Sequence, residues 1–394
     1  MAHTNIVIVG AGPYGLAIAA HLHARRVPFR IFGSPMLSWS AHTPKGMHLK
    51  SEGFASNLYA PGDAFPLSRY CADHAIPYAD VGLPVSAETF VEYGLDFQRR
   101  YVPNLEDRQL VALAQSGAAF DLAFDDGERL TAETVVLATG LGAHARMPAE
   151  LAGLPRDRVS HSWQCGGLDQ HAGRQVVVIG SGASALDCAA TLLQGNAEVS
   201  VLTRSDVINF HSPPADGRRS LREMLFWPRT GLGPGWASMA SCKGPRLIHA
   251  LPERTRHDFV RRHLGPAPCW FVRDQVVGHA SLHTGVSLAG AEMAGGRVQL
   301  HSTRATGEAV VLHADHVLAA TGFEVDLRNL AFLSPGLLGR LRMEDHKPAL
   351  SSNFESSVRG LHFAGPASAA SFGPLLRFAY GARFAARRIA RHLA

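Results

Sequence analysis

Apolar residues in this chain gather in short runs that end on glycine. Ile6-Val7-Ile8-Val9 leads into Gly10-Ala11-Gly12-Pro13-Tyr14-Gly15. Apolar positions at helical spacing follow, and then a second short run, Pro28-Phe29-Arg30-Ile31-Phe32-Gly33. Residues 5–33 therefore read as strand, tight turn, helix and strand, a βαβ unit of roughly 30 residues. The pattern returns far downstream, where Val176-Val177-Val178-Ile179 precedes Gly180-Ser181-Gly182-Ala183-Ser184-Ala185 and the unit closes on a strand at 199–204.

Between the two units, residues 34–100 are loop-rich and end in a helix predicted from Ala87 to Tyr101. Residues 108–140 read as a β-meander that turns at Asp125-Asp126-Gly127. The segment 206–275 is weakly periodic and rich in Pro, Gly, Arg and Trp, which suits a pocket wall or lid. Strands are expected again at 297–301, 308–312 and 315–320, and a last helix from about Gly373. V-L-A-T-G at 136–140 and L-A-A-T-G at 318–322 echo each other, each closing a strand on residues small enough for a close crossover. The expected class is α/β with two Rossmann-like dinucleotide-binding domains. Residues 1–160 and 315–394 form the first, and 161–314 form an inserted second, with 206–275 as its pocket or lid.

Composition narrows this picture. A chain of 394 residues exceeds one typical core, and 46% hydrophobic with 18% charged residues is ordinary for a globular protein. No apolar stretch has the length of a membrane span, and the first strand starts too early for a cleavable leader, so the expected location is cytoplasmic. Five cysteines, Cys71, Cys165, Cys188, Cys242 and Cys269, never form a C-x-x-C pair, which argues against a disulfide framework, a structural zinc site and a dithiol centre. No metal is expected. The net charge of +5 fits cavities for phosphate-rich ligands, because no basic block with interleaved aromatics points to nucleic acid. The basic run from Arg377 to His392 keeps helical apolar spacing and reads as a packed terminal helix, so no membrane partner is expected.

The glycine loops carry the chemistry. Gly10 permits a sharp turn, Gly12 lets backbone N–H groups approach a pyrophosphate, and Gly15 allows close packing of helix on strand. Pro13 suits a first helical turn, and the helix N-terminus, with Tyr14 beside it, offers its positive end to phosphate. The acid expected about 20 residues on, to hold a ribose, is replaced by Gly33-Ser34, and Ser34 can supply a weaker hydrogen bond. In the second loop, Gly180, Gly182, Ala183 and Ser184 form the equivalent turn. Its next strand ends in Arg204, which suits the 2′-phosphate of NADPH better than the free ribose of NADH. Two dinucleotides in one chain imply electron transfer.

These motifs resemble those of the flavin-containing monooxygenases and the related N-hydroxylating monooxygenases, the class B flavoprotein monooxygenases. The resemblance rests on GAGPYG, GSGASALD, the two A-T-G strand ends with the second in D-x-V-x-x-A-T-G-F form, His161-Ser162-Trp163 and Trp39. It extends over nearly the whole chain. It implies that NADPH reduces FAD and that a flavin hydroperoxide passes one oxygen of O2 to a nucleophilic nitrogen, or sulfur, of a small molecule. Asn57 then corresponds to the asparagine beside the reactive flavin edge, with Lys50 as its competitor. Trp39, Val111, Thr139, Gly140, Thr321, Gly322, Phe323, Gly365, Phe372 and Leu375 join the loop residues as cofactor contacts. Pro366 departs from the family, standing where an Asp often binds the ribityl chain. Arg218, Arg219, Trp227, Trp236 and Trp270 are candidate pocket residues. The alternatives are an NADPH-dependent flavin reductase or oxidase serving another acceptor, and a nucleotide sensor without turnover. The resemblance leaves a homo-oligomer open.

Overall fold

The computed structural model describes residues 2–213, 220–263, 265 and 267–394. Its largest sheet has seven strands. Leu105–Glu106, Arg30–Phe32, Ala2–Val9 and Arg129–Leu137 run parallel side by side. The early half of Arg129–Leu137 then pairs antiparallel with Ala119–Phe124, which pairs antiparallel with Leu110–Ser116. Its later half accepts Leu361–Phe363 in parallel. Ile6, Val7, Ile8 and Val9 are all buried, as a central parallel strand covered on both faces requires.

Helix Pro13–Ala24 is covered along nearly its whole length, lying between this sheet and the terminal helix Ala382–His392. The terminal helix is amphipathic. Ala382, Ala385, Ala386, Ile389 and Ala390 face inward, and burial of Ile389 alone contributes about 2 kcal/mol. It starts later than Gly373, because Gly373 sits at φ +95° and the chain runs through two tight turns, Pro374–Arg377 and Ala379–Gly381, first. Helix Ala87–Tyr101 lies where expected, and the Ser86 hydroxyl caps it by accepting from Thr89 N–H at 3.0 Å.

The second sheet has five parallel strands in the order Ser281–His283, Glu198–Leu202, Gln175–Ile179, His316–Ala319, Val159–His161. A three-stranded antiparallel sheet, Val286–Ala294, Arg297–Arg304 and Ala309–Ala314, packs beside it. This corrects the expected boundaries. His316–Ala319, assigned to the first domain, is an inner strand of the second sheet, and Val159–His161 is its edge. The A-T-G echo explains why. A Cβ on Gly10 would lie 2.3 Å from the Ala138 carbonyl oxygen, and one on Gly180 would lie 2.5 Å from that of Ala320. Each glycine turn needs its own small-residue strand end beside it, so the two copies close two different sheets.

The segment 206–275 is also more regular than expected. It contains helices Trp236–Lys243, Pro245–His249, Glu253–Arg262 and Trp270–Val276, the first three preceded by Gly235, Gly244 and Pro252. Much of it docks on the first unit. Arg256 donates to the Ala370 carbonyl and pairs with Glu344 at 2.6 Å, and Leu232 joins the first unit's core.

Candidate functional site

At the first loop, Gly10 holds φ +110° and its N–H donates to the Phe32 carbonyl at 2.8 Å. A Cβ on Gly15 would fall 1.8 Å from the Gly10 carbonyl oxygen, so helix and strand meet at backbone distance. Gly12 differs, because a Cβ there would meet nothing within 4 Å. Gly12 caps helix Pro13–Ala24 without a side-chain bond, and no acid occupies the first turn. The result is an uncovered helix N-terminus behind an open glycine, a cradle suited to a pyrophosphate.

Thr139 and Gly140 follow the strand beside this cradle, with the Thr139 nitrogen 3.2 Å from where a Gly10 Cβ would sit. Gly33 is buried at φ +131° against the backbone of Gly10 and Ala11. Ser34 donates to Asp107 Oδ1 at 2.5 Å and accepts from Gln109 Nε2 at 3.1 Å. Val111 is exposed at an irregularity in the pairing of its strand.

Several expected contacts serve packing instead. The Tyr14 hydroxyl lies 2.9 Å and 2.8 Å from the carbonyls of Leu376 and Phe378, to which it donates, and burial pushes the phenol well above its usual range. Its ring lies under Gly365, which has φ +74°. Tyr14 therefore locks the first loop to the chain's last turns. Trp39 meets Phe90 edge-on at 4.9 Å. Phe372 is fully buried and stacks on Phe354 at 4.1 Å, and Leu375 is buried beside it, so both side chains belong to the core.

The Asn57 side chain is likewise held by backbone groups. Its Nδ2 donates to the Phe54 carbonyl at 2.8 Å and its Oδ1 accepts from Leu67 N–H at 2.7 Å. The side chain clamps a loop to the start of helix Leu67–Asp73, and it is absent from the wall of the large cavity described next.

The second loop opens into a cavity of about 2110 Å3. Gly180, Ser181, Gly182, Ala183 and Ser184 line one end, together with Thr203, Arg204 and Ser205. Gly180 holds φ +136°, and Gly182 caps helix Ala183–Gln194 without a side-chain bond. Arg204 is exposed and has no ion-pair partner among the described residues, whereas Thr203 is buried and its hydroxyl accepts from Ser205 N–H at 3.2 Å. Thr321, Gly322 and Phe323 form part of the wall. Thr321 donates to the Arg146 carbonyl, and His161 Nε2 donates to the Gly322 carbonyl at 3.2 Å. Phe323 meets His161 and Trp163 edge-on.

Lys50, Ser51 and Glu52 bring the first unit to the cavity's far side, joined by Pro366, Ala369 and Ala370. Lys50 Nζ lies 3.9 Å from Asp187 Oδ2, on the helix of the second loop. Burial raises the Asp187 carboxyl to about 6 against the opposing pull of Lys50, and its Oδ2 has no hydrogen-bond partner among the described residues. Asp187 stands inside the quoted GSGASALD motif, but nothing in the sequence reveals that Lys50 meets it. Trp227 and Trp270 also line the cavity and Trp236 does not, while Arg218 and Arg219 lie outside the described residues. All five cysteines are free, and Cys165 and Cys188 both lie in the second core.

Two glycine cradles on two sheets, with a cavity running from the second cradle to the Lys50 loop of the first unit, define a two-dinucleotide fold. The profile of the pyridine nucleotide-disulphide oxidoreductase family matches residues 4–218, and the chain belongs to that family. Ferredoxin–NADP reductase 2 of Chloroherpeton thalassium is 28% identical over 52% of this chain and 54% of its own. Indole-3-pyruvate monooxygenase YUCCA1 of Oryza sativa subsp. japonica is 30% identical over 51% and 48%. The chain thus spans about half the length of the curated relatives it matches. Among solved structures, ornithine hydroxylase PvdA of Pseudomonas aeruginosa superposes with TM-score 0.78 at 17% identity, covering 99% of this chain and 98% of that one. The ornithine N-hydroxylase KtzI of Kutzneria sp. 744 gives 0.76 at 16%, covering 99% and 98%. These likenesses establish a shared fold.

Proposed function

We propose that the protein is an FAD- and NADPH-dependent monooxygenase that transfers one oxygen atom of dioxygen to a nucleophilic nitrogen, or sulfur, of a small molecule. The observation that carries this reading is the cavity joining Arg204 and the second glycine loop to the Lys50 loop of the first unit. FAD belongs in the first cradle, where Gly12 leaves open space before an uncapped helix N-terminus. NADPH belongs in the second, with Arg204 on its 2′-phosphate. On this reading the first unit is the FAD domain and the second the NADPH domain.

FAD reduced by NADPH would supply the activation of dioxygen. The chain's own part is to bind, orient and exclude water. Both helix N-termini and their backbone N–H groups receive phosphate charge. Leu288, Val260, Trp270, Phe271 and Phe323 give the cavity apolar wall, which shields the reacting groups from bulk water. Lys50 offers an ammonium to an anionic part of the substrate or of the nucleotide. The substrate class supported by the named ornithine hydroxylases is a small amine.

The deciding experiment supplies NADPH and 18O2 with a panel of amines and amino acids, and follows product mass. A product gaining one 18O atom, with oxygen uptake stimulated by that compound, supports the proposal. A second reading, electron delivery to another acceptor, draws on the identity to ferredoxin–NADP reductase 2. NADPH consumption with no label in any product, and with rapid reduction of ferredoxin or a quinone, would favour it. A yellow protein that never oxidises NADPH would leave only a sensor.

A further inference from the structure

The first loop lacks an acid at the end of its second strand, yet the fold places one there from a neighbouring strand. Arg30–Phe32 and Leu105–Glu106 pair in parallel with Phe32 opposite Glu106, and Gly33 N–H donates to the Glu106 carbonyl. Both strands therefore end level, and Asp107 emerges beside Gly33 and Ser34.

The charges around this corner are sorted. Arg30 binds Glu106 through two hydrogen bonds of 2.7 Å and 2.6 Å and also pairs with Glu128. Arg108 pairs with Glu128 and with Asp126 at 3.2 Å. Glu106, Asp126 and Glu128 thus each have a guanidinium partner. Among the described residues Asp107 has no ion pair, and its side chain accepts one hydrogen bond, from Ser34. Gln109 donates to the Ser34 oxygen, so the hydroxyl proton points at Asp107 Oδ1. That leaves Oδ2 of an exposed carboxylate as an acceptor at the C-terminal end of the sheet, level with the glycine cradle.

From this geometry we infer that Asp107, oriented by Ser34, binds the adenosine ribose of the dinucleotide in the first loop and bars a 2′-phosphorylated ribose from it. A carboxylate accepts from a ribose hydroxyl and repels a phosphate in that place. The second loop carries the opposite charge, Arg204, at the corresponding strand end. The two corners together direct the unphosphorylated dinucleotide to the first cradle and the 2′-phosphorylated one to the second. This rests on the proposed FAD and NADPH binding and adds the residue that tells the two sites apart.

The test measures dissociation constants for FAD and for FAD lacking the 2′-hydroxyl of its adenosine ribose, using flavin fluorescence with apoprotein. Wild type should prefer FAD by about tenfold, the size of a charged hydrogen bond, and Asp107→Asn should bind both equally. A preference retained in Asp107→Asn overturns the inference, as does equal binding of the two flavins by wild type. Failure of wild type to bind FAD at all would instead overturn the cofactor reading beneath it. The ratio of two ligands on one protein does not move with partial misfolding.

Discussion

Replacing Asp187 by Asn should stabilise the protein above pH 6 and leave it unchanged near pH 4. Burial holds the Asp187 carboxyl at about 6 in the folded chain, against 3.8 for the free group. A raised carboxyl means that the folded state binds its proton more tightly than the unfolded state. Folding stability is therefore greatest below about pH 4, falls as pH rises through the window from 4 to 6, and stays reduced above it. A shift of roughly two units corresponds to about 3 kcal/mol at full effect. Asn keeps the shape and removes the charge. Lys50 is partly exposed and regains water when its partner goes, so little is lost there. Urea unfolding at pH 4 and pH 7.5 measures the difference. Asp187→Asn should gain about 2–3 kcal/mol at pH 7.5 and nothing at pH 4. A gain of equal size at both pH values would refute the reasoning, and so would a net loss at pH 7.5. Lys50→Met, which strands the carboxylate, should act oppositely and lose about 1 kcal/mol at pH 7.5. Catalytic turnover of Asp187→Asn should fall while stability rises, since a carboxylate kept at such a cost beside the cavity has a use there.

Arg204→Ala should weaken NADPH binding by about 10–100-fold and leave NADH unchanged, read from the ratio of kcat/KM values; an unchanged ratio removes Arg204 from the site. Gly15→Ala should prevent folding of the first unit, because its Cβ would meet the Gly10 carbonyl at 1.8 Å. Gly12→Ala, whose Cβ meets nothing, should fold with wild-type circular dichroism yet bind FAD more weakly, and undiminished binding would place the pyrophosphate elsewhere. Asn57→Ala should lose about 1–3 kcal/mol of stability with the coupling of NADPH oxidation to product unchanged. Increased peroxide release at unaltered stability would instead make it a catalytic residue.

Local pattern carried much of the fold. The βαβ units were legible because apolar runs end on glycines that only a strand-to-helix turn uses. Helix Ala87–Tyr101 was legible because Ser86 caps it and its apolar face is continuous. What failed was pairing across the chain. Nothing local to His316–Ala319 says which of the two large sheets it joins, since both sheets need the same small-residue ending. The helices between Trp236 and Val276 are short and broken by Gly and Pro, so their stability comes from docking, which periodicity does not register. The candidate site divides likewise. Glycines whose role is steric could be assigned from type and spacing. Asn57 could not, because a motif position does not say whether an amide faces a ligand or, as here, two backbone groups. Asp107 was invisible because its partner Ser34 lies 73 residues away.

The contact between the two units gives Lys50 its significance. At one end of the loop that carries it, Gly166 meets Ala41 so closely that a Cβ would fall 2.7 Å from the Ala41 carbonyl oxygen. His42 stacks on Trp163 at 4.1 Å and bonds its carbonyl at 2.8 Å, and Cys165 donates to the His42 carbonyl. These are backbone-level and ring-level contacts that admit little adjustment. Further along, Lys45 and Asp169 pair at 3.1 Å while well exposed, an arrangement that contributes little to stability. Lys50 ends the series, facing a buried carboxylate beside the cavity. The loop is anchored at Ala41 and His42 and again where Leu49 N–H donates to the Val85 carbonyl at 2.7 Å, so the backbone of Lys50 is held while its ammonium faces the Asp187 carboxyl across 3.9 Å. Binding an anionic group there needs no rearrangement of the units. It needs only that Lys50 turn from Asp187 to the ligand, which would push the Asp187 carboxyl higher still and favour its protonation as the ligand enters.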